Sequence, residues 1–123
     1  MRKILIVDDS PTIRRMVTAS LQSLHDLRFI EAGNGLDAIE MLARENPSLM
    51  VLDLNMPDMH GLEVLRFVRA QNQFRELPII VLTTRFDAES RKAALDVGAS
   101  RYLTKPFEPA VLRENVTSLL EPK

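Results

Sequence analysis

Three runs in this chain, Ile4–Val7, Leu49–Leu52 and Ile79–Leu82, are apolar at every position, and no other feature constrains the fold as tightly. A strand with one wet face alternates apolar and polar side chains, whereas a strand apolar throughout is covered on both faces. Covering both faces of a sheet takes a layer of helices on each side, and the segments between the runs have the period to supply them. Ser10-Pro11 pairs a hydroxyl N-cap with proline at the first helical position, and Ile13, Met16, Val17, Leu21 and Leu24 follow at helical spacing. Asn34 can cap a second helix carrying Ile39, Leu42 and Ala43, stopped near Asn46-Pro47. Leu62, Leu65 and Val68 mark a third, and a shorter one around Glu89–Asp96 ends at Gly98. Leu112, Val116, Leu119 and Leu120 mark the last.

With the edges included, the strands read Lys3–Val7, Arg28–Ala32, Leu49–Asp53, Ile79–Thr83 and Arg101–Leu103. Five strands alternating with five helices predict a doubly wound (βα)5 α/β domain, a three-layer sandwich about a parallel sheet with right-handed crossovers. At 123 residues, one such domain spans residues 1–123. The N-terminal apolar run stops at Asp8-Asp9, which excludes a signal peptide, and Leu77–Leu82 is far too short to cross a bilayer. The expectation is a cytoplasmic protein without membrane contact. Net charge is −1 with Lys and Arg scattered, so no nucleic-acid surface is expected, and the absence of Cys rules out thiolate metal sites.

In folds of this kind ligands sit beyond the carboxyl ends of the strands. Those ends carry Asp8-Asp9, Asp53, Thr83 and, two residues past the short fifth strand, Lys105. Carboxylates gathered this closely repel, so one takes up a proton or the group binds a cation. An all-oxygen donor set favours a hard ion such as Mg²⁺. A single Asp at a strand end is more simply a helix cap, but that explanation does not extend to the whole set. His25 and His60 read as surface loop residues, and Met56 and Met59 as packing beside the Asp53 loop.

Val7-Asp8-Asp9-Ser10, Asp53-Leu54-Asn55-Met56-Pro57, Thr83-Thr84 and Lys105-Pro106-Phe107 together resemble the response-regulator receiver domain. The spacing agrees too: Asp9 lies 44 residues before Asp53, with Thr83 30 and Lys105 52 after it. The resemblance covers essentially the whole chain and implies the flavodoxin-like strand order 2-1-3-4-5. It implies that Asp53 is the phosphoacceptor, taking a phosphoryl group from a sensor histidine kinase or phosphotransfer protein. Asp9, Asp53 and the backbone carbonyl of Asn55 would ligate Mg²⁺, with Asp8 acting through water. Lys105 and Thr83 would contact the phosphoryl group, a cis Lys105–Pro106 peptide would aim the lysine, and Tyr102 would swing inward as the switch aromatic. The downstream partner would bind the face made by Glu89–Asp96, Arg101–Leu103 and the last helix. Such a protein is a phosphoacceptor, not an enzyme with turnover. The segment Val7-Asp8-Asp9-Ser10-Pro11-Thr12-Ile13-Arg14-Arg15-Met16 looks most like chemotaxis and motility regulators, and the chain ends directly after its last helix, as a stand-alone receiver would.

Two departures bear on behaviour. Ser100-Arg101 stands where one transcription-factor subfamily carries an acidic pair used in dimerisation, so a monomer is expected. Thr84 follows Thr83 where a very small residue is common, and Arg85 comes next; with Asn55 these are the expected rate-modulating positions, favouring a long-lived phosphorylated state. Three alternatives remain. The chain would also fit a receiver cut from a hybrid kinase or larger regulator. Gly33-Asn34-Gly35-Leu36-Asp37-Ala38 matches a dinucleotide fingerprint, though after the second strand instead of the first. An aspartyl-phosphate phosphatase needs a second Asp two residues after its nucleophile, where this chain has Asn55 or Ser10.

Overall fold

The computed structural model describes residues 2–56 and 58–121. Its elements are β1 (Arg2–Val7), α1 (Pro11–Leu21), β2 (Leu27–Ala32), α2 (Gly35–Glu45), β3 (Leu49–Leu52), α3 (Gly61–Ala70), a 3-10 turn over Asn72–Phe74, β4 (Ile79–Thr83), α4 (Ala88–Val97), β5 (Arg101–Thr104) and α5 (Pro109–Leu120). The five strands form one parallel sheet in the order β2-β1-β3-β4-β5. This is the flavodoxin-like doubly wound arrangement.

Alternation along each strand divides the core in two. Leu5, Val7, Met50, Leu52, Ile79 and Val81 pack against Ala38 and Leu42 of α2, Val64, Leu65 and Val68 of α3, and Ala94 of α4. Ile4, Ile6, Leu49, Val51, Ile80 and Leu82 face the other way, against Val17 and Leu21 of α1 and Leu112 and Val116 of α5. Each of the Leu, Ile, Val and Met side chains among these, removed from water, contributes about 1.5–3 kcal/mol against the entropy of ordering the chain, and each Ala less. β2, paired on one side only, buries fully just Ala32.

The helix ends follow the local chemistry. Ser10 Oγ accepts from the N–H of Ile13 at 3.2 Å ahead of Pro11, and Asn34 Oδ1 accepts from that of Asp37 at 2.8 Å. Gly98 closes α4 at φ 126°, a left-handed conformation that glycine adopts without a side-chain clash. Two expected core residues lie outside. Met16 is 45% exposed and lines a groove with Phe107 and Pro109, because the buried stripe of α1 runs through Val17 and Leu21. Ala43 is exposed beside buried Leu42. Among the described residues no helix is long and apolar enough to cross a membrane.

Candidate functional site

The register brings the strand ends together. Val7 lies beside Leu52 and Leu52 beside Val81, so the residues after β1 and β3 emerge on one rim. The Asp53 N–H donates to the Val7 carbonyl at 3.0 Å, fixing the start of the acceptor loop against β1. One carboxylate oxygen from each of Asp8, Asp9 and Asp53 lies within 4.8 Å of the other two. Asp8 and Asp53 are buried and Asp9 is exposed.

Lys105 relieves part of the crowding. Its Nζ sits 2.6 Å from Asp8 Oδ2 and 3.7 Å from Asp53 Oδ2. The lysine is anchored by its N–H, which donates to the Thr83 carbonyl at 2.8 Å, and the Lys105–Pro106 peptide is cis. The other oxygen of Asp8 accepts from the Ser10 N–H at 2.9 Å. Asp53 Oδ1 has no hydrogen-bond partner although it is buried. Burial pushes the Asp53 carboxyl above its ordinary value, Lys105 opposes this, and the negative charges of Asp8 and Asp9 reinforce it. Three carboxylates gathered around a buried, partly unpartnered Asp53 form a donor set that fits a hard cation.

The loop from Asp53 to Gly61 is drawn tight by its own backbone. The Gly61 N–H donates to the Leu54 carbonyl at 2.9 Å, so closely that a Cβ on residue 61 would overlap the Asp53 carbonyl oxygen and lie 2.5 Å from Leu54 Cα. Asp58 fastens the loop to α2, each carboxylate oxygen accepting one N–H, from Gly35 at 3.0 Å and Leu36 at 3.1 Å. Those bonds hold its carboxyl below the usual range. They also occupy the backbone donors that a dinucleotide's pyrophosphate would need, which removes the support for the Gly33-Asn34-Gly35 fingerprint. His60 is exposed, but its Nδ1 accepts from the Leu62 N–H at 3.3 Å and caps α3. Met56 and Met59 pack against the core beside this loop, and Pro57 lies outside the described residues.

The opposite wall is the loop after β4. Thr83 is fully buried and its Oγ1 accepts from the Arg85 N–H at 3.2 Å, leaving its own O–H as a donor. Thr84 is exposed and makes no side-chain hydrogen bond among the described residues. Arg85 Nε donates to Asn55 Oδ1 at 3.0 Å, bridging the two loops. Tyr102 already stands inward, 7% exposed, its hydroxyl donating to the Arg85 carbonyl at 2.6 Å. The Arg91 guanidinium lies over the ring, 5.7 Å from its centroid.

Three contributors escape a reading of the sequence. Arg14 donates through Nη1 to the Asp8 carbonyl and through Nε to Glu31 at 2.7 Å, holding the end of β1 in place. Asp58 and Gly61 are the other two; Gly61 carries a local signal, being a glycine at a helix start, whereas Arg14 and Asp58 act across the fold.

The chain matches the response regulator receiver domain family over residues 4–117. It is 40% identical to the chemotaxis protein CheY1 of Helicobacter pylori over 119 residues, covering 96% of each chain. The crystal structure of the Vibrio cholerae chemotaxis protein CheY4 superposes with a TM-score of 0.89 at 36% identity, over 98% of this chain and 99% of that one. The Mn²⁺-bound form of the response regulator Rcp1 superposes at 0.88 and 29% identity, over 100% of this chain and 97% of that one.

Proposed function

We infer the function from the family: the chain belongs to the response regulator receiver domain family, and on that premise it is the phosphoacceptor switch of a two-component pathway, working in chemotaxis or motility as the matched relatives' names suggest. Asp53 takes the phosphoryl group from a phosphohistidine on a sensor histidine kinase or phosphotransfer protein. A carboxylate oxygen attacks phosphorus, the P–N bond breaks, and the imidazole leaves with the electron pair. Asp9, Asp53 and the Asn55 carbonyl would hold Mg²⁺, with Asp8 reaching it through water, and the bound ion supplies positive charge against the phosphoryl oxygens. Lys105 provides a second positive charge from the β5 side, and the Thr83 hydroxyl donates to a phosphoryl oxygen.

Asn55, Thr84 and Arg85 border the acceptor and govern how readily water reaches the phosphoryl group. The chain works as a monomer that switches a downstream protein on the α4–β5–α5 face, and as a phosphoacceptor it has no turnover of its own. The observation that carries this reading is Asp53 itself. It is 4% exposed, with one oxygen orphaned and two carboxylates and an ammonium beside it. A buried carboxylate so placed is costly as mere structure and useful as an acceptor.

Intact mass after incubation with a phosphohistidine protein or acetyl phosphate, with and without Mg²⁺, tests it. One phosphoryl group should be gained only with Mg²⁺ and not at all in Asp53→Asn. No gain from either donor would overturn the proposal.

A further inference from the structure

Arg85 makes three bonds of different kinds at one place. Its N–H donates to Thr83 Oγ1, its carbonyl accepts from the Tyr102 hydroxyl, and its side chain reaches Asn55 two residues past Asp53. The first two are backbone bonds that any residue would make, but they hold only while the loop keeps this shape. The third is a side-chain tie from this loop to the acceptor loop. Phe86, the next residue, is 84% exposed, so no buried side chain at that position pins the loop. α4, which follows, buries fully only Ala94 and is a weak anchor.

We propose that Arg85 is the positioning residue for Tyr102: its guanidinium, tied to Asn55, holds the loop so that the ring stands inward. The proposal rests on the receiver reading for its significance but not for its test, which uses unphosphorylated protein. The Asn55–Arg85 bond then joins the acceptor loop to the switch aromatic directly, beside the route through Thr83. The balance between inward and outward ring is then set in part by a side-chain pair outside the Thr83 contact.

The sequence offers a clean reporter, since Tyr102 is the one tyrosine and there is no tryptophan. Acrylamide quenching of tyrosine fluorescence in the full unphosphorylated chain therefore reads the shielding of this ring alone. Arg85→Ala keeps the backbone carbonyl and loses the tether; it should shift the inward-to-outward ratio by about tenfold toward the exposed ring, the effect of losing one hydrogen bond. Asn55→Ala should do the same, and the double variant should match either single one, because one bond is being removed twice. Phe86→Ser, one residue along with no bond to Asn55, should leave the shielding at the wild-type level. Unchanged shielding in Arg85→Ala and Asn55→Ala would overturn the assignment. So would additive effects in the double variant, or equal unshielding by Phe86→Ser, which would mean that any change in the loop frees the ring. Folding is checked by thermal melting of each variant; these side chains are exposed, and their melting points should stay near that of the wild type.

Discussion

At Asp53 the fold does what single residues rarely tolerate: it buries a carboxylate and leaves one oxygen without a partner. The cost is met by neighbours that belong to other elements, Lys105 above all, and by a loop whose course is dictated by Gly61. That glycine is needed for space, not for its dihedral freedom. Gly61→Ala should push the Asp53 carbonyl and Leu54 apart and cost about 3 kcal/mol, measured by urea unfolding, and should slow phosphoryl acceptance at the same time. A cost below about 1 kcal/mol would mean that the loop can yield without harm. The candidate site residues at this scale, Asp8, Asp9, Asp53, Thr83 and Lys105, are legible because each ends a recognisable strand or follows one closely. Asp58 is not, because its target is the N-terminus of α2, and nothing local to Met56–Gly61 signals a bond to a helix 22 or 23 residues back.

Among the elements, α4 stands apart. α1, α2, α3 and α5 each bury two or more residues completely, whereas α4 buries only Ala94 completely, with Val97 half-buried against the core and Arg91 reaching Tyr102. Its N-cap is Asp87, whose carboxylate accepts from the Ser90 N–H at 2.9 Å and from the Ser90 hydroxyl. Those two bonds hold the Asp87 carboxyl below its usual value. A depressed pKa means that the cap's contribution is fully present above the unfolded value of about 4 and is lost as pH falls through the lower folded one. Amide exchange at Ser90 and Arg91 should therefore quicken, relative to the intrinsic rate, as the solution is acidified through that range. Asp87→Ala should show the quickened exchange already at neutral pH, and a wild-type profile in the variant would show that the cap contributes nothing. Helix ends capped by Ser, Asn, Pro or Gly are the boundaries most legible in the sequence. The start of α3 is less so, because its cap is an imidazole nitrogen of His60, a residue type that carries little capping signal.

Over the whole molecule, the sheet separates two apolar cores that share strands but no helices. Ile79 and Ile80 are neighbours in sequence, both fully buried, and belong to opposite cores. Ile79→Val and Ile80→Val should each cost about 1 kcal/mol in urea unfolding, and the double variant should equal their sum within about 0.5 kcal/mol. A clear departure from additivity would show the two layers communicating through the strand. The architecture was readable because β1, β3 and β4 have no polar position to offer a solvent face, and only a sandwich covers such strands. What composition and period could not give was depth within a helix: Met16 and Ala43 sit at the margin of apolar stripes, where a rotation of a few tens of degrees decides between core and surface. The strand order has a further consequence for the chain as it is made. All three carboxylates of the rim have been synthesised by residue 53, but the ammonium that stands against Asp8 comes from Lys105, 97 residues after it, on the loop following the last strand. A nascent chain without β5 therefore lacks the ammonium that stands against Asp8 and Asp53, and on the proposed receiver function competence to receive a phosphoryl group arrives only when the edge of the sheet is finished.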